Sequence, residues 1–153
     1  MNIEELKDNS IAYKWRVQSS AYGKCRCVAY IDARTAHDLL DKVCGPMNWQ
    51  TRYEEHKGNL FCSIGILGNK GWVWKTDCGT ESNTEKQKGE ASDAFKRAAV
   101  LWGIARFLYS LPIIPLPAKE ENGKLKPYHL TKGFIRKAED ITKWCNSEYN
   151  KTK

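Results

Sequence analysis

Several signatures of catalysis are missing from this sequence. It has no G-x-x-x-x-G-K-[ST] to cradle a nucleotide's phosphates, no G-x-G-x-x-G, no H-E-x-x-H and no G-x-S-x-G. It also lacks C-x-x-C. Cys25 and Cys27 form a C-x-C pair, Cys44, Cys62, Cys78 and Cys145 stand apart, and His37, His56 and His129 follow no cysteine pair at finger spacing. Neither a zinc site nor a disulfide framework is expected, and the thiols read as small buried side chains in a reducing compartment. Carboxylates are scattered; Asp77, Glu81, Glu90 and Asp93 come nearest to a metal set, with no motif behind a nuclease. Long apolar runs are absent, so no membrane-spanning segment is expected. The acidic start, Met1-Asn2-Ile3-Glu4-Glu5, does not look like a secretory leader. The expectation is a cytoplasmic protein that is not an enzyme and holds no metal or cofactor.

What the sequence does have is positive charge. Its 153 residues carry 25 basic and 18 acidic side chains, a formal +7. The length suits one ordinary domain with a hydrophobic core. The charge favours an acidic partner, whether nucleic acid, anionic membrane or acidic protein, and composition does not choose among them.

Periodicity gives an outline. Residues 1–12 read as a short lead-in, helical or disordered. Residues 13–19 and 25–31 alternate apolar and polar side chains around a small-residue turn, as a hairpin does. Asp32 caps a helix to about Cys44, with Ala36, Leu39, Leu40 and Val43 on one face and Gly45-Pro46 as its stop. Three strands follow, over 48–56, 60–67 and 72–78, joined by Lys57-Gly58-Asn59 and Gly68-Asn69-Lys70-Gly71. They make a meander with one apolar face to cover. The cover is a helix from about Thr84 to Tyr109, whose stripe includes Ala91, Ala94, Phe95, Ala98, Leu101 and Trp102. Pro112, Pro115 and Pro117 then make an extended connector, and 118–127 a mobile loop. A last helix starts at Thr131. The organisation is a lead-in (1–12), a core (13–110), a Pro-rich connector and loop (111–130), and a C-terminal helix and tail (131–153). The fold class is α+β, an antiparallel sheet of hairpin plus meander packed by a long helix.

Basic and aromatic residues interleave in Tyr13-Lys14-Trp15-Arg16, Arg52-Tyr53, Trp72-Val73-Trp74-Lys75 and beside Phe95 in Lys96-Arg97. Bases stack on exposed rings while Lys and Arg hold phosphates, so this is the pattern of a single-strand binder. The same tryptophans, Trp49, Trp72, Trp74 and Trp102, also fit the apolar faces of their elements as core. Arg52, Lys70 and Lys75 are candidate DNA contacts on or beside the meander.

Two stretches carry a resemblance. One is Tyr30-Ile31-Asp32-Ala33-Arg34, leading into a helix, with Gly45-Pro46-Met47-Asn48-Trp49 opening a strand. The other is Lys88-Gly89-Glu90-Ala91-Ser92-Asp93-Ala94-Phe95-Lys96-Arg97-Ala98-Ala99, ending in Trp102-Gly103. In this order, and with the sequence of elements above, residues 13–110 resemble the single-strand annealing proteins typified by eukaryotic Rad-fifty-two and phage Sak. The resemblance implies a ring of subunits with single-stranded DNA in a basic groove. Arg34, Lys96 and Arg97 fall on the family's DNA-contacting positions and Lys88 on a further basic one. A third family arginine is replaced by Val100, and Gly79 to Lys86 is shorter than in eukaryotic members.

The implied activity is ATP-independent binding and annealing of single strands in homologous recombination, with host or phage recombination proteins as further partners. Two alternatives stand beside it: a coating protein for single-stranded DNA or RNA that does not anneal, and a basic oligomerisation or interaction module. Val100, Ile104 and Phe107 lie off the main stripe of the long helix. A helix apolar on several sides calls for cover, from a neighbouring subunit or from the last helix.

Overall fold

The computed structural model describes residues 1–79 and 86–153. Its elements are β1 (Lys14–Ala21), β2 (Lys24–Tyr30), α1 (Ala33–Cys44), β3 (Trp49–His56), β4 (Asn59–Gly68), β5 (Gly71–Cys78), α2 (Lys86–Leu101), β6 (Ile114–Glu121), β7 (Lys124–His129), β8 (Gly133–Phe134) and α3 (Ala138–Lys151). Short 3₁₀ turns occupy Ile3–Lys7 and Arg106–Ser110. The fold is α+β and every strand pairing is antiparallel, in two sheets ordered β3-β4-β5 and β1-β2-β6-β7-β8. The chain forms two compact units: Met1–Ile11 with Asp32–Phe107, and Ala12–Ile31 with Leu108–Lys153.

The first unit is the meander and its two longer helices. On α1, Ala36, Leu39, Leu40 and Val43 are buried, as their spacing predicts, and Gly45 leaves the helix at φ +88°. Cys62, Ile64 and Ile66 of β4 form the buried face of the sheet, beneath Ala94, Phe95 and Ala98 of α2. A glycine is required at Gly79, where a Cβ would press into the Glu90 carbonyl and reach 3.0 Å from Ala94. The helix ends sooner than the apolar stripe suggests. Gly103 (φ +100°) and Ala105 (φ +59°) turn the chain left-handed. Arg106 Nη2 donates to the carbonyls of Val100 (2.8 Å) and Leu101 (3.0 Å) in the last turn of the helix, and the Val100 carbonyl also accepts the Gly103 N–H (2.9 Å). Ile104 lies beyond the helix and is fully buried. With α2 ending at Leu101, Val100, Ile104 and Phe107 do not share one helix, and no helical face apolar to Tyr109 calls for a covering subunit.

In the second unit the hairpin β1-β2 does not join the meander. It pairs through β2 with β6, Cys27 opposite Ile114 and Cys25 opposite Leu116. The segment expected to be a connector and mobile loop is thus a hairpin, β6-β7. Its prolines are tolerated because they alternate. Pro115 and Pro117 stand opposite Arg26 and Lys24, while Leu116, between them, keeps its N–H. Residues 133–134 add β8, and the last helix starts at Ala138 rather than Thr131. Trp15, Cys27, Ile114, Leu116, Ile135 and Cys145 form the core between sheet and α3. Trp15 is tied to α3 twice: its N–H donates to Thr142 Oγ1 (3.0 Å) and its indole to Asn146 Oδ1 (2.8 Å). The six cysteines are free thiols. Burial raises Cys25 and Cys44, and lifts Cys62 to about 11. A hydrogen bond from Cys145 lowers Cys27 and raises Cys145.

Candidate nucleic-acid interface

Arg34 is exposed in the first turn of α1, one turn before His37. The His37 ring sits 4.6 Å from Phe95 of α2, and Phe95 is followed by Lys96 and Arg97. Packing of α1 on α2 thus brings the segments carrying the three marked positions together. Lys96 is half-buried. Arg97 is exposed and its Nε lies 3.8 Å from Asp77 Oδ1 on β5. Lys88 falls in the first turn of α2, and its side chain lies outside the described residues.

The meander carries the other three. Strand register sets its faces: Trp49, Thr51 and Tyr53 of β3 align with Ile66, Ile64 and Cys62, and these with Val73, Lys75 and Asp77 of β5. Lys75 is therefore on the helix side. Its Nζ donates to the Leu101 carbonyl (3.4 Å) and stands 4.7 Å over the Trp102 ring, capping the end of α2. Trp72 and Trp74 are on the opposite, uncovered side, contrary to their reading as core. Trp72 is 39% exposed. Trp74 lies against Gly65, where a Cβ would come within 2.8 Å of the ring. The Arg52 guanidinium stacks 4.1 Å over Trp74. Arg52, Trp74 and Trp72 make a ring-and-cation platform on an open sheet face, an arrangement suited to base stacking beside a phosphate contact. Lys70 is exposed at the β4-β5 turn.

Glu90 accepts the Leu60 N–H (2.8 Å) and Asp77 faces Arg97; Glu81 lies outside the described residues. Among the described residues, no three His, Cys, Asp or Glu side chains converge, and no helix is long and apolar enough to cross a membrane.

All seven candidates lie in the first unit, which by sequence holds twelve basic against thirteen acidic residues, a formal −1. The second unit holds thirteen against five, a formal +8. The charge that first pointed to an acidic partner is thus in the other unit. Its signal in the sequence was the alternation Lys14-x-Arg16, Lys24-x-Arg26 and Lys124-x-Lys126, which the aromatic interleaving overshadowed.

No protein-family model matches the chain. It is similar to two curated proteins, both called single-stranded DNA-binding protein DdrA. It is 37% identical to that of Deinococcus deserti over 107 residues, 68% of this chain and 52% of the relative. It is 29% identical to that of Deinococcus radiodurans over 150 residues, 94% of this chain and 65% of the relative. The chain therefore spans about half to two-thirds of the length of these relatives.

Proposed function

We propose that this chain binds single-stranded DNA and anneals complementary strands without ATP, as a cytoplasmic recombination protein that works as an oligomeric ring. The observation that carries the first half is its similarity to two proteins named for single-stranded DNA binding. Annealing, the ring and recombination partners rest on the resemblance of residues 13–110 to the annealing proteins. In this reading Arg34, Lys96 and Arg97, with Lys88, hold phosphates, and Arg52 and Lys70 lie beside the strand's path, while Lys75 caps the end of α2. Phosphate contacts leave base edges accessible, and base pairing drives the joining of two strands. No bond in the protein or the DNA is made or broken, so no catalytic group, metal or cofactor is called for.

The test is a fluorescence assay with complementary oligonucleotides of mixed sequence, with no ATP and with EDTA present. The expected result is pairing faster than the spontaneous rate. Binding without acceleration favours the coating protein, a reading supported by the relatives' name, which states binding alone. No binding at low salt favours the interaction module.

A further inference from the structure

The second unit shows a surface that neither the resemblance nor the relatives' name assigns. We propose that the outer face of the sheet β1-β2-β6-β7-β8 is a phosphate-binding surface for single-stranded DNA, made of residues other than the seven candidates above. This rests on the reading that the chain binds single strands, and it adds where much of that binding resides.

Register carries the case. Trp15, Cys27, Ile114 and Leu116 point into the core, so the residues alternating with them point out. Those are Lys14 and Arg16 on β1, Lys24 and Arg26 on β2, Lys119 on β6 and Lys126 on β7. All but Lys126 are exposed. Neighbouring strands lie about 4.8 Å apart and alternate residues about 6.7 Å apart, so the cations form an array, which fits a polyanion better than a single small ion.

Three further observations say that this array is held ready. First, cations rest on rings of the same face: the Arg16 guanidinium 5.6 Å over Tyr30, Lys119 Nζ 4.3 Å over Tyr128, and the Arg136 guanidinium 4.7 Å over Phe134. Stacking keeps long side chains on the sheet and reduces the ordering a ligand must impose. Second, Glu121 is the one carboxylate on this side of these strands, and its charge is already met. Arg136 donates two bonds to it (2.5 and 2.6 Å) and Lys126 a third (3.3 Å), which hold its carboxyl down at about 2. Third, Lys119 stands directly opposite Lys126. Like charges so placed destabilise a sheet, and a bound polyanion relieves that repulsion.

The experiment compares two double variants with equal change in net charge. Arg26→Glu with Lys119→Glu removes two cations from the face; Lys143→Glu with Lys151→Glu removes two from α3, which packs on the other side of the sheet. Arg26→Gln with Lys119→Gln serves if the first pair fails to fold. Binding of a labelled mixed-sequence oligonucleotide is measured across a salt series. The expected outcome is at least a tenfold loss at low salt for the face variant and a salt slope flatter by about 1.4, from two phosphate contacts at ~0.7 each. The α3 variant keeps most of both. Equal losses in the two variants mean a net-charge effect and overturn the proposal. So does loss of binding to phosphatidylserine vesicles in the face variant with oligonucleotide binding intact, and so does tighter binding of duplex than of single strand. If Arg34, Lys96 and Arg97 changed to Ala abolish binding while the face variant binds normally, the proposal falls and the function stands. If the wild-type chain binds no oligonucleotide, both fall.

Discussion

The two compact units share one construction and differ in what they show. Each is an antiparallel sheet with one face closed by a helix, α2 over β4 in the first and α3 over β1 in the second. The first unit turns outward Trp72, Trp74 and a single stacked arginine; the second turns outward rows of lysine and arginine. Period-two patterning fixes only the inner face of a sheet, so the outer face is open to chemistry. In the readings proposed above, the first unit offers stacked rings beside its phosphate-holding side chains and the second offers rows of cations, and this is the contrast that experiments can sharpen or break.

The largest effects are in the two cores. Trp15→Ala removes the side chain that anchors α3, and Phe95→Ala the one that anchors α2; each should cost about 3–5 kcal/mol in denaturant unfolding. Hydrogen exchange should show lost protection in β1, β2 and α3 for Trp15→Ala, and in α1, α2 and β4 for Phe95→Ala. The reverse pattern would erase the division into units. Next is Gly79→Ala, which forces a methyl into the α2 backbone and should cost roughly 1–3 kcal/mol without touching the basic face. Binding effects follow. Arg34→Ala and Lys96→Ala should each flatten the salt slope of oligonucleotide binding by roughly 0.7, and Arg97→Ala by less, since Asp77 already faces that charge. Arg52→Ala should leave the salt slope nearly unchanged and reduce affinity where bases stack, because its partner is a ring. The smallest effect concerns pH. Glu121 has its folded-state value lowered to about 2, so the stability it contributes is present above the ordinary carboxyl range near 4.5 and is lost as pH falls towards 2. Unfolding curves for Glu121→Gln should lack that component, and the difference should be small because the pair is exposed.

Much of the first unit was legible in the sequence. Period 3.6 and a stopping Gly45 marked α1, with Asp32 at the N-cap position although its side chain makes no capping hydrogen bond there, and the two glycine turns marked the meander. The orientation of β5 was not legible. Hydropathy favours burying Trp72 and Trp74, but pairing with β4 aligns Val73, Lys75 and Asp77 with the buried Ile66, Ile64 and Cys62. Register is a property of two strands and cannot be read from one. The end of α2 was hidden because no proline marks it in the sequence, while the left-handed backbone at Gly103 is visible only in three dimensions. The second unit was the least legible, since prolines in β6 read as breakers and its partner β2 lies nearly ninety residues earlier. Of the site, Arg34 and Arg97 are exposed as a contact surface requires, whereas Lys75 is occupied at a helix end.

That separation also sets a timetable. Cys27 pairs with Ile114, so during synthesis at about 5–20 residues per second β1-β2 waits roughly 5–20 s before β6 exists. Through that interval the free edge of β2 is a template for strands of other chains. Lys24 and Arg26 sit on that strand, and edge charges of this kind discourage such pairing. The same cations would then guard the nascent chain against aggregation before they have any strand of DNA to hold.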